Sequence, residues 1–107
     1  MQTADIAALR RFSPEKMVKV NVFSTPRFFC DVYCLEPGQA QQPHAHEGSD
    51  KVYYVLDGVG RFRVGDEERT LGHGQIVLAP AGQPHGVFND GPGRLVLLVY
   101  MAPNPTP

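Results

Sequence analysis

A chain of 107 residues, 42% of them hydrophobic and 20% charged, has room for one modest core and not for two. Its formal net charge of −1 comes without a run of like charges, so the clustered basic footprint that nucleic-acid binding needs is absent. No apolar stretch approaches the ~20 residues of a membrane helix, and the start "MQTADIAALRRF" lacks the charged-then-apolar order of a secretory leader, which points to a cytoplasmic protein.

In chain order, "DIAALRRF" predicts about two helical turns, with Ile6 and Leu9 on one side and Arg10 and Arg11 facing out. In "SPEKM", Ser13 offers a cap and Pro14 the first helical position, predicting one further turn. From Met17 onward the chain reads as short strands: "MVKVNVF", "FFCDVYCLE", "QAQQPHAH", "KVYYVLDG", "GRFRVGDEE", "ERTLG", "QIVLAPAG", "PHGVFND" and "RLVLLVYMAP". In the second of these, Phe28, Cys30, Val32 and Cys34 alternate with Phe29, Asp31, Tyr33 and Leu35. Cys30 and Cys34 then share a strand face roughly 13 Å apart at ~3.3 Å per residue, beyond the ~7 Å reach of a disulfide, so both are expected as free, buried thiols. Pro37-Gly38, Asp57-Gly58, Gly65-Asp66 and Asp90-Gly91 punctuate the strands as turns. With 11 Gly and 10 Pro in the chain, this rhythm predicts an all-β sandwich or barrel. One domain spans 1–107, with its core over about 17–102 and a flexible tail, "PNPTP", at 103–107.

The chain has four histidines. His44 and His46 stand two apart on a predicted strand, so both leave one face, ~6.6 Å apart at their Cα atoms. From there two imidazoles can converge on an ion at the ~2.0–2.1 Å of a zinc–nitrogen bond. His85 follows a Pro/Gly turn, and barrel closure can bring it opposite the pair. His73, between two glycines, is expected in a solvent-exposed turn.

Over a longer span, Gly38, His44, His46 and Gly58, followed by Gly74, Pro80, Gly82, His85 and Asn89, resemble in order and spacing the two sequence motifs of the cupin superfamily, in the compact form of small single-domain bacterial members. The resemblance implies a double-stranded β-helix, a cupin barrel or jelly roll, commonly a homodimer. It also implies a divalent metal ion held by His44, His46 and His85 with a motif glutamate.

At that glutamate position, four residues beyond His46 and six before Gly58, stands Lys51. A divalent ion and an ammonium ~6 Å apart repel by roughly 5 kcal/mol at an effective dielectric near 20. Four outcomes follow. Lys51 swings to solvent and water completes a three-histidine site. The "EGSD" loop bulges so that Asp50 becomes the fourth ligand. Lys51 loses its proton. Or the site holds no metal and binds an anion between Lys51 and the histidines. Lys51 and Tyr53, with Val55, share one strand face, making the first two candidate ligand-binding side chains, while Tyr54 and Leu56 pack outside or at a dimer interface. One of Gln41 and Gln42 is placed to enter the barrel mouth, Arg61 and Arg63 belong to a solvated edge, and Asn89 to a turn.

The expected function is a small cupin binding a divalent ion (Zn, Ni, Fe, Mn or Cu) and an unidentified small-molecule ligand. The alternatives are a metal-free cupin for a small anion or metabolite, or a metal-dependent dioxygenase, isomerase or polyketide-cyclase-like enzyme. No nucleophile–base pair is visible, and Asp50 is the only acid near the expected site, so general acid–base chemistry lacks an obvious actor.

Overall fold

Alternate burial along the middle strands, and a continuous apolar run in the last, decide the architecture, because each strand must bury at least one face. The computed structural model describes residues 1–105. Nine strands form: β1 Val18–Thr25, β2 Phe28–Leu35, β3 Ala40–His44, β4 Asp50–Asp57, β5 Val59–Val64, β6 Glu67–Gly72, β7 Ile76–Ala79, β8 His85–Phe88 and β9 Leu95–Ala102. They make two antiparallel sheets, one in the order β1-β2-β9-β4-β7 and the other β3-β8-β5-β6. The inward side chains of both sheets, Tyr33 and Leu35 of β2, Tyr53 and Val55 of β4, Phe62 of β5, Val87 of β8 and Leu95, Leu97 and Val99 of β9, form the core between them.

The other face of β2 is buried as well, which explains why its second half is covered on both sides. Val32, Cys34 and Val96 lie beneath Ile6 and Phe12 of the N-terminal segment and beside Val22, Leu56 and Leu98. Both cysteines are free; Cys34 is buried as expected, whereas Cys30 is only half-buried, and burial pushes both thiols up from their ordinary pKa. Further along this outer face, Ile76, Leu78 and Tyr100 remain exposed.

Three expectations are corrected. The N-terminal helix, α1, is one turn, Ile6–Leu9, capped by Asp5, whose Oδ1 accepts from the Ala7 amide at 3.1 Å. Arg10 is already extended and reaches Asp57 at 3.3 Å, and the flattened chain lets Phe12 cover the sheet, contacts that outweigh another turn of a short helix with a costly nucleus. In "SPEKM" the Ser13 hydroxyl accepts from the Glu15 amide at 3.2 Å, but a bend forms instead of a helix, and Gln39 Nε2 ties down the Ser13 carbonyl at 2.7 Å. The tail expected to be flexible at 103–107 is anchored at its start. Ser49 Oγ donates to the Pro103 carbonyl at 2.7 Å, and buried Asn104 donates to the Thr25 carbonyl at 2.9 Å. Residues 106 and 107 lie outside the described residues. No helix among the described residues is long and apolar enough to cross a membrane.

Candidate functional site

The sequence Gln-Pro-His occurs twice, at residues 42–44 and 83–85, and both copies end in a site histidine. Proline is tolerated in sheets at bulges and strand starts, where no ladder N–H is needed. Pro43 sits within a register shift between Gln41 and His44 in β3, and Pro84 immediately precedes β8. Gln41 pairs with Val87 and His44 with His85, so three steps on β3 match two on β8. In a regular strand Gln41 and His44 would face opposite ways; the bulge turns His44 back to the inner side beside Gln41. His46 lies just past the end of β3, so the expected strand placement holds for His44 alone. The Gly82 amide fixes the His46 carbonyl at 2.8 Å.

The three rings meet. Ring centroids are 4.6 Å apart for His44–His85, 5.0 Å for His44–His46 and 5.8 Å for His46–His85. Their ligand atoms all lie within 4.8 Å of one another. Tautomers follow from the partners. His44 Nδ1 lies 3.0 Å from the Gln42 carbonyl and His85 Nδ1 2.9 Å from the Gln83 carbonyl. A carbonyl only accepts, so Nδ1 carries the proton in each ring and Nε2 presents a lone pair. His85 is 1% exposed, and its Nε2 has no hydrogen-bond partner among the described residues. A buried polar nitrogen without a partner costs about 1–3 kcal/mol, which a metal–nitrogen bond removes. Burial pushes the His85 pKa down to about 4, against the raising effect of its bond to Gln83. Burial, then the nearby His44 and Lys51, lowers that of His46. Depressed values keep imidazole in the neutral form that a metal requires. The donor set therefore fits a divalent ion of borderline softness.

Lys51 does not swing outward. It is 1% exposed, paired in register with Met101 and Ala79 inside the barrel. Its Nζ donates to Gln41 Oε1 at 3.2 Å and lies 5.0 Å from the ring centroids of both Tyr33 and Tyr53. The same Oε1 accepts from the Tyr53 hydroxyl at 2.8 Å, and Gln41 Nε2 donates to the Tyr33 hydroxyl at 3.4 Å. Burial, then Lys19, pulls the Lys51 pKa from 10.5 down to about 7, with Asp31 opposing. Burial likewise raises Tyr33 to about 12 and raises Tyr53. Tyr53 is thus inside as expected, its ring 6.3 Å from that of His85.

Asp50 stands apart from the cluster. Its side chain is exposed on the opposite strand face from Lys51, and its Oδ1 accepts from the Ala81 amide at 2.8 Å. The loop does not bulge to bring it in; Asp50 instead anchors the turn whose Gly82 holds His46. His73 is exposed, as expected. Arg61 points out to Asp90 at 2.6 Å and to Glu68 at 3.3 Å, and Asn89 closes a turn through the Leu35 and Gly93 carbonyls. Sequence reading did not distinguish Gln41 from Gln42 and missed Tyr33. The repeated Gln-Pro-His was the available signal for the bulge that brings Gln41 inside.

The lowered pKa of buried Lys51 has a measurable consequence. Its folded pKa lies below its unfolded one, so the folded state binds fewer protons between about pH 7 and 10.5. Stability therefore rises with pH across that window, by at most about 1.4 kcal/mol per unit, and is lost on descending through it. Lys51→Met is expected to stabilise the protein at pH 7.5 by about 1–3 kcal/mol, as the buried charge is removed, and to flatten the pH dependence of urea unfolding between pH 7.5 and 9.5. An unchanged slope would assign the proton to another group.

Residues 31–101 match the family described as Cupin domain. Over 74 residues the chain is 35% identical to the tetracenomycin polyketide synthase protein TcmJ of Streptomyces glaucescens, covering 66% of this chain and 50% of that one. Over 67 residues it is 32% identical to an oxalate-binding protein of Thermotoga maritima, covering 63% and 55%. The chain thus spans about half the length of these curated relatives. Among solved structures it is similar to TT1209 of Thermus thermophilus, with 51% identity and a TM-score of 0.95 over 98% of this chain and 100% of that one. A conserved protein with a double-stranded β-helix domain from Klebsiella pneumoniae, 24% identical, superposes with a TM-score of 0.91 over 100% of this chain and 94% of its own. The two-sheet barrel is the double-stranded β-helix anticipated from the motifs.

Proposed function

The chain belongs to the cupin domain family, and from that premise we propose that it binds one divalent metal ion through His44, His46 and His85 and presents that ion to a small-molecule ligand. The observation that carries the reading is the unpartnered Nε2 of His85, buried and gathered with the ligand atoms of two further imidazoles. When bound, the ion supplies Lewis acidity beside the barrel interior. The protein's own residues do the rest: the Gln42 and Gln83 carbonyls orient His44 and His85, the Gly82 amide fixes the His46 backbone, and the apolar core limits access of water. Relatives that carry the names of a polyketide synthase protein and an oxalate-binding protein support a small organic molecule as the ligand.

The test is metal analysis of the protein purified without a nickel column, followed by titration with Zn, Ni, Mn, Fe(II) and Cu. One ion per chain is expected. At a hundredfold excess over Kd, binding contributes about 2.7 kcal/mol, a rise in Tm of roughly 10 °C or more for a chain this size. Lys51→Glu places the family's carboxylate at the centre and is expected to tighten binding by more than tenfold, about 1.4 kcal/mol. Absence of any uptake or thermal shift would favour the metal-free anion pocket instead.

A further inference from the structure

Along one side of the barrel the two sheets do not close on each other. β6 and β7 each end their sheet, and between them lies a slot of ≈ 640 Å³, within the size range of small-ligand sites. Phe62 belongs to the core and Leu71 and Val77 pack against it, so the slot has an apolar floor. At its rim Ile76 and Leu78 stay 60% and 55% exposed. Large apolar side chains gathered in water at one opening mark a binding surface, whereas single scattered ones do not. None of His44, His46, His85 and Lys51 lines the slot.

The slot is polar at one end. Direct cross-strand partners share a face, so Glu67 opposite Val64, Arg69 opposite Phe62 and Leu71 opposite Gly60 all stand on the inner side of β6. From Glu67 to Leu71 the lining passes from charge to hydrocarbon over roughly 13 Å, at ~3.3 Å per residue. At the charged end the Gly65-Asp66 turn lies against the segment before β8. The Gly65 amide donates to the Pro84 carbonyl at 2.8 Å, and a Cβ built at Gly65 would meet Gln83 Oε1 at 2.8 Å. Among the described residues the Asp66 carboxylate and the Gln83 side-chain amide have no partner. Arg69 lies 3.6 Å from Glu67, which leaves Asp66 as the uncompensated charge of the lining. The adjoining turn adds two more acids: Asp50 on the Ala81 amide, and Glu47, whose Oε2 is 3.9 Å from a Cβ built at Gly82. Arg63, on the outer face opposite Glu68, donates its Nε to the Gly65 carbonyl at 3.1 Å. The potential at this end is therefore negative.

We propose that this slot is a second small-molecule site, separate from the three-histidine centre, and that it takes a small organic monocation with an apolar body. The ammonium group sits between Asp66 and the Gln83 amide oxygen, and the hydrocarbon lies along Phe62, Leu71 and Val77. An ammonium brings donors that both polar groups accept, and its charge offsets the excess at that end. A carboxylate in the same place would meet Asp66 and, beside it, Glu67. The apolar body covers Ile76 and Leu78, which the fold leaves to water.

NMR titration of the full chain with 2-phenylethylammonium, 2-phenylethanol, phenylacetate and methylammonium tests this. Saturable shifts are expected at Gly65, Asp66, Leu71 and Val77. The ammonium compound is expected to bind two- to fivefold tighter than the alcohol, the range that one exposed ammonium–carboxylate contact supplies, and at least fivefold tighter than phenylacetate. Methylammonium, which has the charge without the body, is expected to show no saturable shift. Asp66→Asn keeps a residue that turns accept and is expected to equalise the ammonium compound and the alcohol. Ile76→Ser, at an exposed position, is expected to weaken both by the same two- to threefold factor. Phenylacetate binding as tightly as the ammonium compound, or no saturable shift with any probe, overturns the site. A preference for the cation that survives Asp66→Asn overturns the placement of its charge. Repeating the titration with zinc present is expected to leave the affinities unchanged whether or not the protein takes up the metal. Shifts centred on His44, His46 and His85, or a tenfold effect of zinc, would put the probe at the histidines and overturn a separate site.

Discussion

Replacing His85 with alanine is expected to weaken metal binding by at least two orders of magnitude, about 3 kcal/mol, while the fold survives. Of the three ligands it is the most enclosed, at 1% exposure, and its ring orientation is fixed by the Gln83 carbonyl. The remaining pair, His44 and His46, belongs to one strand end and a loop, and two imidazoles hold an ion far less well than three. The effect on folding is small because two terms oppose. Truncation leaves a cavity, which costs about 1–3 kcal/mol for a side chain of this size, but it also removes a buried nitrogen without a partner, worth a similar amount. Metal titration paired with thermal unfolding checks this. A His85→Ala protein that keeps its parent's affinity would remove the centre from the place described.

The second large effect is expected at Gly86, which no ligand touches. A Cβ built there would lie 2.6 Å from the Gln41 carbonyl oxygen, 2.9 Å from the Pro43 nitrogen and 3.2 Å from the Gln42 carbonyl carbon. All three are backbone atoms, so no side-chain rotation relieves the contact; β3 and β8 must separate. That separation undoes the bulge that turns His44 inward opposite His85. Gly86→Ala is expected to cost about 2–3 kcal/mol of stability through overpacking and to reduce metal affinity by a hundredfold or more, about 3 kcal/mol. Gly48→Ala is the control, since a Cβ there meets nothing within 4 Å. If both variants bind metal equally, the close approach of β3 to β8 does not shape the site.

Much of this was legible in the letters. Apolar runs bounded by turn residues in β2, β4 and β9 give the sheets, because which residues are apolar is a property each strand carries locally. That Lys51 shares a face with Tyr53 and Val55, and that Asp50 one step earlier takes the other, follows from strand geometry; that the shared face keeps Lys51 inside was left open by the sequence and is decided by the structure. The histidines were legible through motif spacing. What escaped depends on partners distant in sequence. The choice of Gln41 over Gln42 is made by a bulge that exists only because β8 offers a glycine to approach. The charge of Lys51 is set by burial and then by Lys19, with Asp31 opposing, none of which a strand pattern reports. The N-terminal helix stops early because Arg10 and Phe12 find contacts on the barrel that outcompete a weak local preference.

The two imidazoles nearest each other in space are oriented by peptide oxygens, not by glutamine side chains. Positions 42 and 83 can thus drift to other amino acids while the rings they steady keep their aim, so long as the neighbouring prolines preserve the path of the chain. Evolution is left free to rewrite the vestibule for new molecules without dismantling the centre behind it.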